Sequence, residues 1–416
     1  MKVFKFGGAS VKDANGVKNV TRVLQQVGYN DILLVISAMG KMTNAFEKLT
    51  DAYYYKKDEL SFLIDEVRGY HYDIATDLFG DKNHQIFPEL EILFSKMVDF
   101  MIHNRSKDYN YVYDQIVSIA EYMSTKIVSS YLNDFGIINE WVDVKDYVKT
   151  NADYRNAKVD WELTEHNIKT KIKPKKLYIT QGFVASDDKG NTTTLGREGS
   201  DYSAGIFAYC LNAESLTIWK DVEGVLNADP RYFEETQLLQ QISYTEAIEL
   251  AFYGASVIHP KTLQPLQKKE IPLFVKSFIV PQNEGTTVSR GVNIKPETPC
   301  FIVKKGQILL SVSSIDFSFI VERNISDIFD LLHKHKMKVN LIQNSAISFS
   351  VCMDDDYNNF QNLLEDLKDK FLIDFNKDVS LYTIRHFNKE AISKIEKNNT
   401  ILLKQISRET VQIVIR

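Results

Sequence analysis

Over the first 280 residues, short apolar runs alternate with longer stretches whose apolar positions recur every three or four residues. The runs at 3–6, 32–36, 137–144, 177–186, 215–221 and 271–278 read as strands. Several are apolar almost throughout, as in a parallel sheet covered on both faces. Helices are predicted between them. One spans 11–27, with Val17, Val20, Val23, Leu24 and Val27 on one face. Others begin at Thr43-Asn44 and cover 118–135, 201–211 and 244–253, the last closed by Gly254. Strand, polar loop, helix in repetition is the unit of a doubly wound α/β sheet, whose ligands bind beyond the carboxyl ends of the strands. Residues 51–116 interrupt this rhythm as a mainly helical insertion, rich in Tyr, Phe and charge and without visible chemistry. The DDKGN turn at 187–191 joins two strands as a hairpin.

The pattern changes after a stretch rich in Pro, Asn, Thr and Gly at 281–299, which reads as a connection between domains. Beyond it, strands at 307–313, 339–342 and 345–353 and helices at 325–335 and 358–367 predict a small α+β sandwich. A second copy follows and stops early, with strands at 379–385, 401–405 and 411–415 and a helix at 389–396. An apolar share of 44% and a charged share of 25% are ordinary for a globular chain. The net charge of −5 gives no basic field for nucleic acid or an anionic membrane surface. No apolar run is long enough to span a bilayer, and MKVFKFGGAS lacks the apolar region of a secretory signal. Cys210, Cys300 and Cys352 are too scattered for a disulfide framework or a zinc site, so a cytoplasmic location is expected.

The stretch 192–204, TTTLGREGSDYSA, concentrates the candidate chemistry. It lies between a strand and a helix, where unpaired backbone N–H groups favour an anion. Gly196 and Gly199 permit close approach of a ligand, Ser200 and Asp201 stand where a helix cap belongs, and Arg197 offers a fork of donors for a carboxylate or phosphate. An anion grip and an ordinary capped turn fit this stretch equally well when it is taken alone. Lys5, one residue ahead of Gly7-Gly8, can lean over a phosphate held by the glycine backbone. Ser37 and Thr43 sit on the next strand-to-helix loop, and Glu121 is an acid on an apolar helix face that needs a partner or a ligand. Lys220 and Asp221 end another strand, and Arg231 lies in the turn ADPRYF. His259, before a proline at an element boundary, reads as structural. On a parallel sheet, Lys5, Gly7, Gly8, Ser37, Thr43, Glu121, Arg197, Ser200, Asp201, Asp221 and Arg231 are expected on one rim. Such a set suits phosphoryl transfer, which needs charge compensation and positioning more than a protein nucleophile.

The segments KFGGASV, SAMGKMTN, AEYMST, QGFVAS, TTTLGREGSDYSA, IWKDVEGVLNADPR and YGASVIHPKTLQP, in this order, resemble the aspartate kinases of the amino-acid kinase family. The resemblance implies a three-layer αβα kinase domain at 1–290 with the insertion at 51–116. It implies ACT-type regulatory domains at 301–370 and, shortened, at 376–416. The implied reaction is ATP-dependent phosphorylation of L-aspartate to 4-phospho-L-aspartate, opening lysine, threonine and methionine synthesis. Lys5, Gly7 and Gly8 would contact the γ-phosphate. Ser37, Thr43, Glu121, Phe183, Arg197 and Ser200 would hold aspartate, and Asp201 would orient Lys5. Lys220, Asp221, Leu226, Arg231 and position 256 would serve the nucleotide. Mg2+ would ride on the phosphates with no protein metal cage. A homodimer and a lysine or threonine effector at the ACT domains are also implied. The length predicts a monofunctional enzyme without a fused dehydrogenase.

Three positions depart from the family pattern. Glu198 stands where a glycine is usual, and its side chain must avoid the substrate carboxylate. Ser256 replaces a lysine that contacts nucleotide phosphates, a loss that Lys220 or Lys261 would have to offset. The loop at 318–327 lacks the glycine usual before the ACT helix, leaving Asn340, Gln343, Asn344 and Ser345 as candidates for an effector pocket. Two alternatives stand beside the aspartate kinase reading. One is a kinase for another carboxylate such as N-acetylglutamate, and the other is a catalytically impaired ACT protein that senses a ligand.

Overall fold

Most apolar runs of the first 280 residues join one eight-stranded sheet in the computed structural model, which describes residues 1–255, 258–316 and 318–416. The elements begin with β1 (Lys2–Phe6), α1 (Ala14–Val27), β2 (Ile32–Ile36) and the helices α2 (Met42–Tyr54), α3 (Leu60–Phe79), α4 (Ile86–His103) and α5 (Tyr109–Asp134). They continue with β3 (Glu140–Trp141), α6 (Trp161–Lys171), β4 (Leu177–Gln181), the hairpin β5 (Val184–Ser186) and β6 (Thr192–Thr194), α7 (Gly199–Leu211) and β7 (Leu216–Lys220). After the two-residue strands β8 (Val225–Leu226) and β9 (Leu238–Leu239) come β10 (Gln241–Ser243), α8 (Tyr244–Tyr253), α9 (Pro260–Lys269), β11 (Leu273–Ser277) and β12 (Thr286–Ser289).

The sheet runs β10-β12-β11-β7-β1-β2-β4-β3, and its only antiparallel pair is β11 with β12. β2 and β4 are buried at all five positions. Helix α5 packs on both of them while α7 packs on β1, β2 and β7, so helices cover both faces. Registration aligns the strand ends: Phe6 pairs with Ile36 and Trp219, and Ile36 with Gln181. The turns after β1, β2, β4 and β7 therefore open on one edge. That edge is where the site forms.

Several predicted boundaries change for identifiable reasons. The strand expected at 137–144 shrinks to β3. The Asn139 side chain engages Ser129, Asn133 and Ile137, and the Val144 N–H goes to the Gln181 side chain instead of a sheet partner. The strand expected at 177–186 breaks at Gly182-Phe183, where Phe183 has a φ of 67° and donates its N–H to Ser203 Oγ. Only β4 stays in the main sheet; β5 turns away to form the predicted hairpin with β6. The helix expected from 118 starts earlier, because Asp108 caps it by accepting the N–H groups of Asn110 and Tyr111. The connection at 281–299 contains β12, which joins the sheet's antiparallel pair.

By chain contacts the described residues divide into two units. The first comprises Met1–Val225, Leu238–Ile248 and Val257–Ile294; the second comprises Leu226–Gln237, Glu249–Ser256 and Lys295–Arg416. The second unit contains β13 (Cys300–Ser314), α10 (Glu322–Lys334), β14 (Lys338–Asn344), β15 (Ser348–Asp354), α11 (Phe360–Leu367), β16 (Phe371–Arg385), α12 (Lys389–Glu396), β17 (Ile401–Ile406) and β18 (Thr410–Ile415). Its antiparallel sheet runs β14-β15-β13-β16-β18-β17, so the full α+β repeat and its shortened copy share one sheet. Ile328 and Leu332 of α10 and Leu363 and Leu367 of α11 close a core over Leu310, Val312, Phe349 and Val351. Ala391 and Ile395 of α12 do the same over Ile384, Val411 and Ile413.

Where a glycine was expected before α10, the Asn324 side chain accepts the Val321 N–H and closes the turn instead. Asn340 is fully engaged: it accepts from Lys304 Nζ at 2.7 Å and donates to Gln307 and Asp354. Ser345 is tied to Ser348 within its own turn, whereas Gln343 and Asn344 are exposed. No helix among the described residues is long and apolar enough to cross a membrane. All three cysteines are buried.

Candidate active site

The aligned strand ends of the first unit surround a cleft of about 640 Å3. Lys5, Gly8, Ser37, Thr43, Glu121, Phe183, Arg197, Ser200, Asp201 and Lys220 all line it. Lys5 belongs to β1 and is buried between Val35 and Ile218 of the neighbouring strands. Its ammonium stands 2.6 Å from Asp201 Oδ1 in the first turn of α7, and both side chains are nearly closed to solvent. Burial alone would raise the Asp201 carboxyl, but Lys5 and then Lys220 more than offset it and hold the acid below its ordinary range. Gly7 and Gly8 give this pair room: a Cβ on Gly7 would stand 3.3 Å from Lys5 Nζ, and one on Gly8 would lie 2.5 Å from the Gly40 carbonyl oxygen. The turn after β1 thus nests against the turn after β2, held by a Gly40 N–H to Gly8 O bond of 3.0 Å.

Two helix N-termini point into the cleft. α2 contributes Thr43 and Asn44, and α7 contributes Gly199, Ser200 and Asp201. The helix dipoles give both ends positive character suited to phosphate or carboxylate. Ser200 and Asp201 were expected at a cap position; they lie inside α7 instead. The cap is Glu198, left-handed at a φ of 55°, with no side-chain capping bond. This conformation explains why a glycine suits the position and why glutamate there carries strain. Glu198→Gly is expected to raise stability by about 1–2 kcal/mol. Urea denaturation of the two proteins measures it, and a loss of stability would show that the Glu198 side chain contributes more than its backbone costs.

Glu121 presents the sharpest electrostatic feature. It sits on the inner face of α5 at 2% exposure, and its Oε2 has no hydrogen-bond partner among the described residues. Burial pushes its carboxyl up to about 8, with the Ala38 N–H and the more distant Lys5 charge pulling the other way. Among the described residues no Arg or Lys forms an ion pair with it, contrary to the usual structural fate of such an acid. The Arg197 guanidinium, exposed on the 196–199 turn, forms no ion pair among the described residues. A cleft holding an unpartnered buried acid and a free guanidinium is matched to a zwitterion with an ammonium and a carboxylate.

Other expected residues fall elsewhere. Gly7 adjoins Lys5 Nζ without lining the cleft, and Asp221 is exposed just past β7. Leu226 and Arg231 belong to the second unit. Arg231 pairs with Asp229 at 2.6 Å. Ser256 lies outside the described residues. Of the two lysines considered as its substitutes, Lys220 lines the cleft, while Lys261 Nζ bonds Asn156 Oδ1 at 2.7 Å. His259 caps α9, its ring nitrogen accepting the Lys261 N–H, in keeping with a structural reading. Sequence reasoning missed Glu47, Tyr113 and Arg155, which also line the cleft. Tyr113 comes from the insertion that showed no chemistry, and Arg155 from a polar loop with no motif. Tyr70, also from the insertion, donates its hydroxyl to the Lys12 carbonyl and abuts Gly40, bracing the turns after β1 and β2.

A model of the amino acid kinase family matches residues 1–277. The chain is 31% identical over 356 residues to the lysine-sensitive aspartokinase 3 of Escherichia coli, covering 85% of this chain and 78% of that one. It is 29% identical to a chloroplastic bifunctional aspartokinase/homoserine dehydrogenase of Arabidopsis thaliana, of whose length it spans 39%. The crystal structure of E. coli aspartokinase III with lysine and aspartate superposes with a TM-score of 0.83 at 27% identity, covering 100% of this chain and 95% of that one. The same enzyme with aspartate and ADP gives 0.82 at 26% identity, covering 100% and 96%.

Proposed function

The chain belongs to the amino acid kinase family, and within it to the aspartokinases; from that premise we propose that the cleft moves the γ-phosphoryl group of ATP onto the side-chain carboxylate of L-aspartate. The observation that carries this reading is the buried Glu121 carboxyl, whose Oε2 has no partner among the described residues, lining the same cleft as Arg197 and the Lys5–Asp201 pair. Glu121 receives the substrate ammonium and Arg197 the α-carboxylate. Ser37, Thr43 and Ser200 supply hydroxyls, and Phe183 gives an apolar wall. The β-carboxylate is left facing Lys5.

One β-carboxylate oxygen attacks the γ-phosphorus in line as the bond to the β–γ bridging oxygen breaks, and ADP leaves with that electron pair. The attacking group is already ionised, so no general base is required. Lys5 compensates charge on the equatorial oxygens, Asp201 keeps its ammonium aimed, and the Gly7-Gly8 turn lets the phosphate approach the backbone. Lys220 and Asp221 are assigned to the nucleotide. Among the described residues no group of three or more His, Cys, Asp or Glu side chains gathers to hold a metal. The Mg2+ that phosphoryl transfer uses would be held mainly by the triphosphate, adding to charge neutralisation there. The bound lysine in the E. coli relative supports an amino-acid effector for this chain; we assign its seat to the second unit and take a homodimer as the working form.

Release of ADP in the presence of ATP and Mg2+ tests the substrate. L-Aspartate is expected to support turnover and N-acetyl-L-glutamate is not, because it has no ammonium for Glu121. Faster turnover with N-acetyl-L-glutamate, or none with either acid, would overturn the assignment.

A further inference from the structure

The cleft holds a second guanidinium, and we propose that Arg155 is a specificity-determining residue that recognises the substrate carboxylate not being phosphorylated. This rests on the amino-acid phosphotransfer reading above and deepens it.

Arg155 lines the cleft with its side chain 39% exposed. Its guanidinium lies 4.2 Å from the centroid of the Tyr113 ring and 5.6 Å from that of Tyr109, a seat that orients a planar cation. The Tyr109 hydroxyl is itself fixed on Asp51 Oδ1 at 2.5 Å. Glu47, another lining residue, stands 3.3 Å from Arg155 Nη2 and balances the charge while the site is empty.

The backbone is arranged around this placement. Arg155 has a φ of 67°, a conformation unfavourable for any side chain beyond glycine. It is held there by its N–H to Asp114 Oδ2 at 3.0 Å, and Asp114 is fully buried with Thr194 N and Oγ1 as its other donors. The Arg155 carbonyl oxygen would meet a Cβ on Gly196 at 3.1 Å, so its loop packs directly on the turn that carries Arg197. Two guanidinium groups on two abutting loops thus line the cleft that also holds the Lys5–Asp201 pair. A dicarboxylic amino acid that aims one carboxylate at Lys5 presents the other to these two groups. Arg155 leaves Glu47 to share that carboxylate with Arg197.

The test is Arg155→Gly, which removes the side chain while keeping a residue suited to a φ of 67°, with Arg155→Lys as the conservative companion. In Arg155→Gly the KM for L-aspartate is expected to rise at least tenfold, the KM for ATP to stay within twofold, and the melting temperature not to fall. Arg155→Lys is expected to recover only part of the loss, since a lysine ammonium lacks the planar fork. A KM for aspartate within twofold of the unmodified enzyme would overturn the proposal. So would parallel losses for both substrates with a lowered melting temperature, which would mark a merely structural role. If the unmodified protein turns over no amino acid, the parent reading fails; if it does and Arg155→Gly behaves like it, only the role of Arg155 fails.

Discussion

Lys5→Ala is expected to lower kcat by about a thousandfold or more, because it removes the one ammonium fixed beside the strand-end glycines where the transferred charge must sit. The same substitution is expected to destabilise the fold. Asp201 is buried, and Lys5 is the first of the charges that keep it ionised. Breaking a buried pair by removing one partner leaves the other uncompensated, at a cost of about 3–5 kcal/mol. Asp201 would then bind a proton more readily, and part of the lost stability should return as the pH is lowered. The double change Lys5→Met with Asp201→Leu removes both charges and should be more stable than Lys5→Ala, yet equally inactive. Steady-state kinetics and urea denaturation of the three proteins separate the catalytic effect from the structural one. Lys5→Ala with kcat within tenfold of the unmodified protein would sink the assignment of Lys5.

The second large effect concerns pH. Glu121 must be ionised to receive an ammonium, yet burial raises its carboxyl from an ordinary value of 4.5 to about 8. Aspartate binding below pH 8 should therefore release a proton, and the KM for aspartate should rise about tenfold for each pH unit below that value. Stability moves in the opposite direction. The native, empty protein holds this proton more firmly than the unfolded chain does. The contribution of Glu121 is thus fully present below pH 4.5, is lost as the pH climbs from 4.5 to about 8, and changes no further above it. Glu121→Gln should abolish both dependences, raise the KM for aspartate at pH 8 by at least thirtyfold and leave the KM for ATP little changed. A KM for aspartate that is flat from pH 6 to 8 in the unmodified protein would show that Glu121 does not meet the ammonium.

Much of this site is legible in the sequence because its parts hang on strand ends. Ile32–Ile36 reads as a strand covered on both faces, and once β1 and β4 flank it and β7 adds to β1, the residues after each strand share an edge. That placed Lys5, Ser37, Thr43, Arg197, Ser200 and Asp201 around one cleft before any coordinates. Glu121 was visible as a charge on an apolar helix face, although only the structure shows that its Oε2 has no partner among the described residues.

What escaped depends on long-range contacts. Arg155, Glu47 and Tyr113 meet through a cation–π seat and an ion pair between segments 108 residues apart, and no local spacing encodes that. The break at Phe183 depends on Ser203, twenty residues later, capturing its N–H. The bare letters of GREGSD suggested a cap at Ser200 or Asp201, whereas the turn places Glu198 there in a left-handed conformation. In the second unit the long strands β13 and β16 carry charged residues mid-course, so their periodicity pointed to shorter pieces than the fifteen residues each one spans.

The most direct measurement is to trap the product. The unmodified protein, incubated with L-aspartate, ATP and Mg2+ in the presence of hydroxylamine, is expected to yield aspartate β-hydroxamate by mass spectrometry, and Lys5→Ala is expected to yield none above background. Folded, unmodified protein that gives no hydroxamate, or gives only the α-isomer, would contradict a cleft that presents the side-chain carboxylate of aspartate to the γ-phosphate.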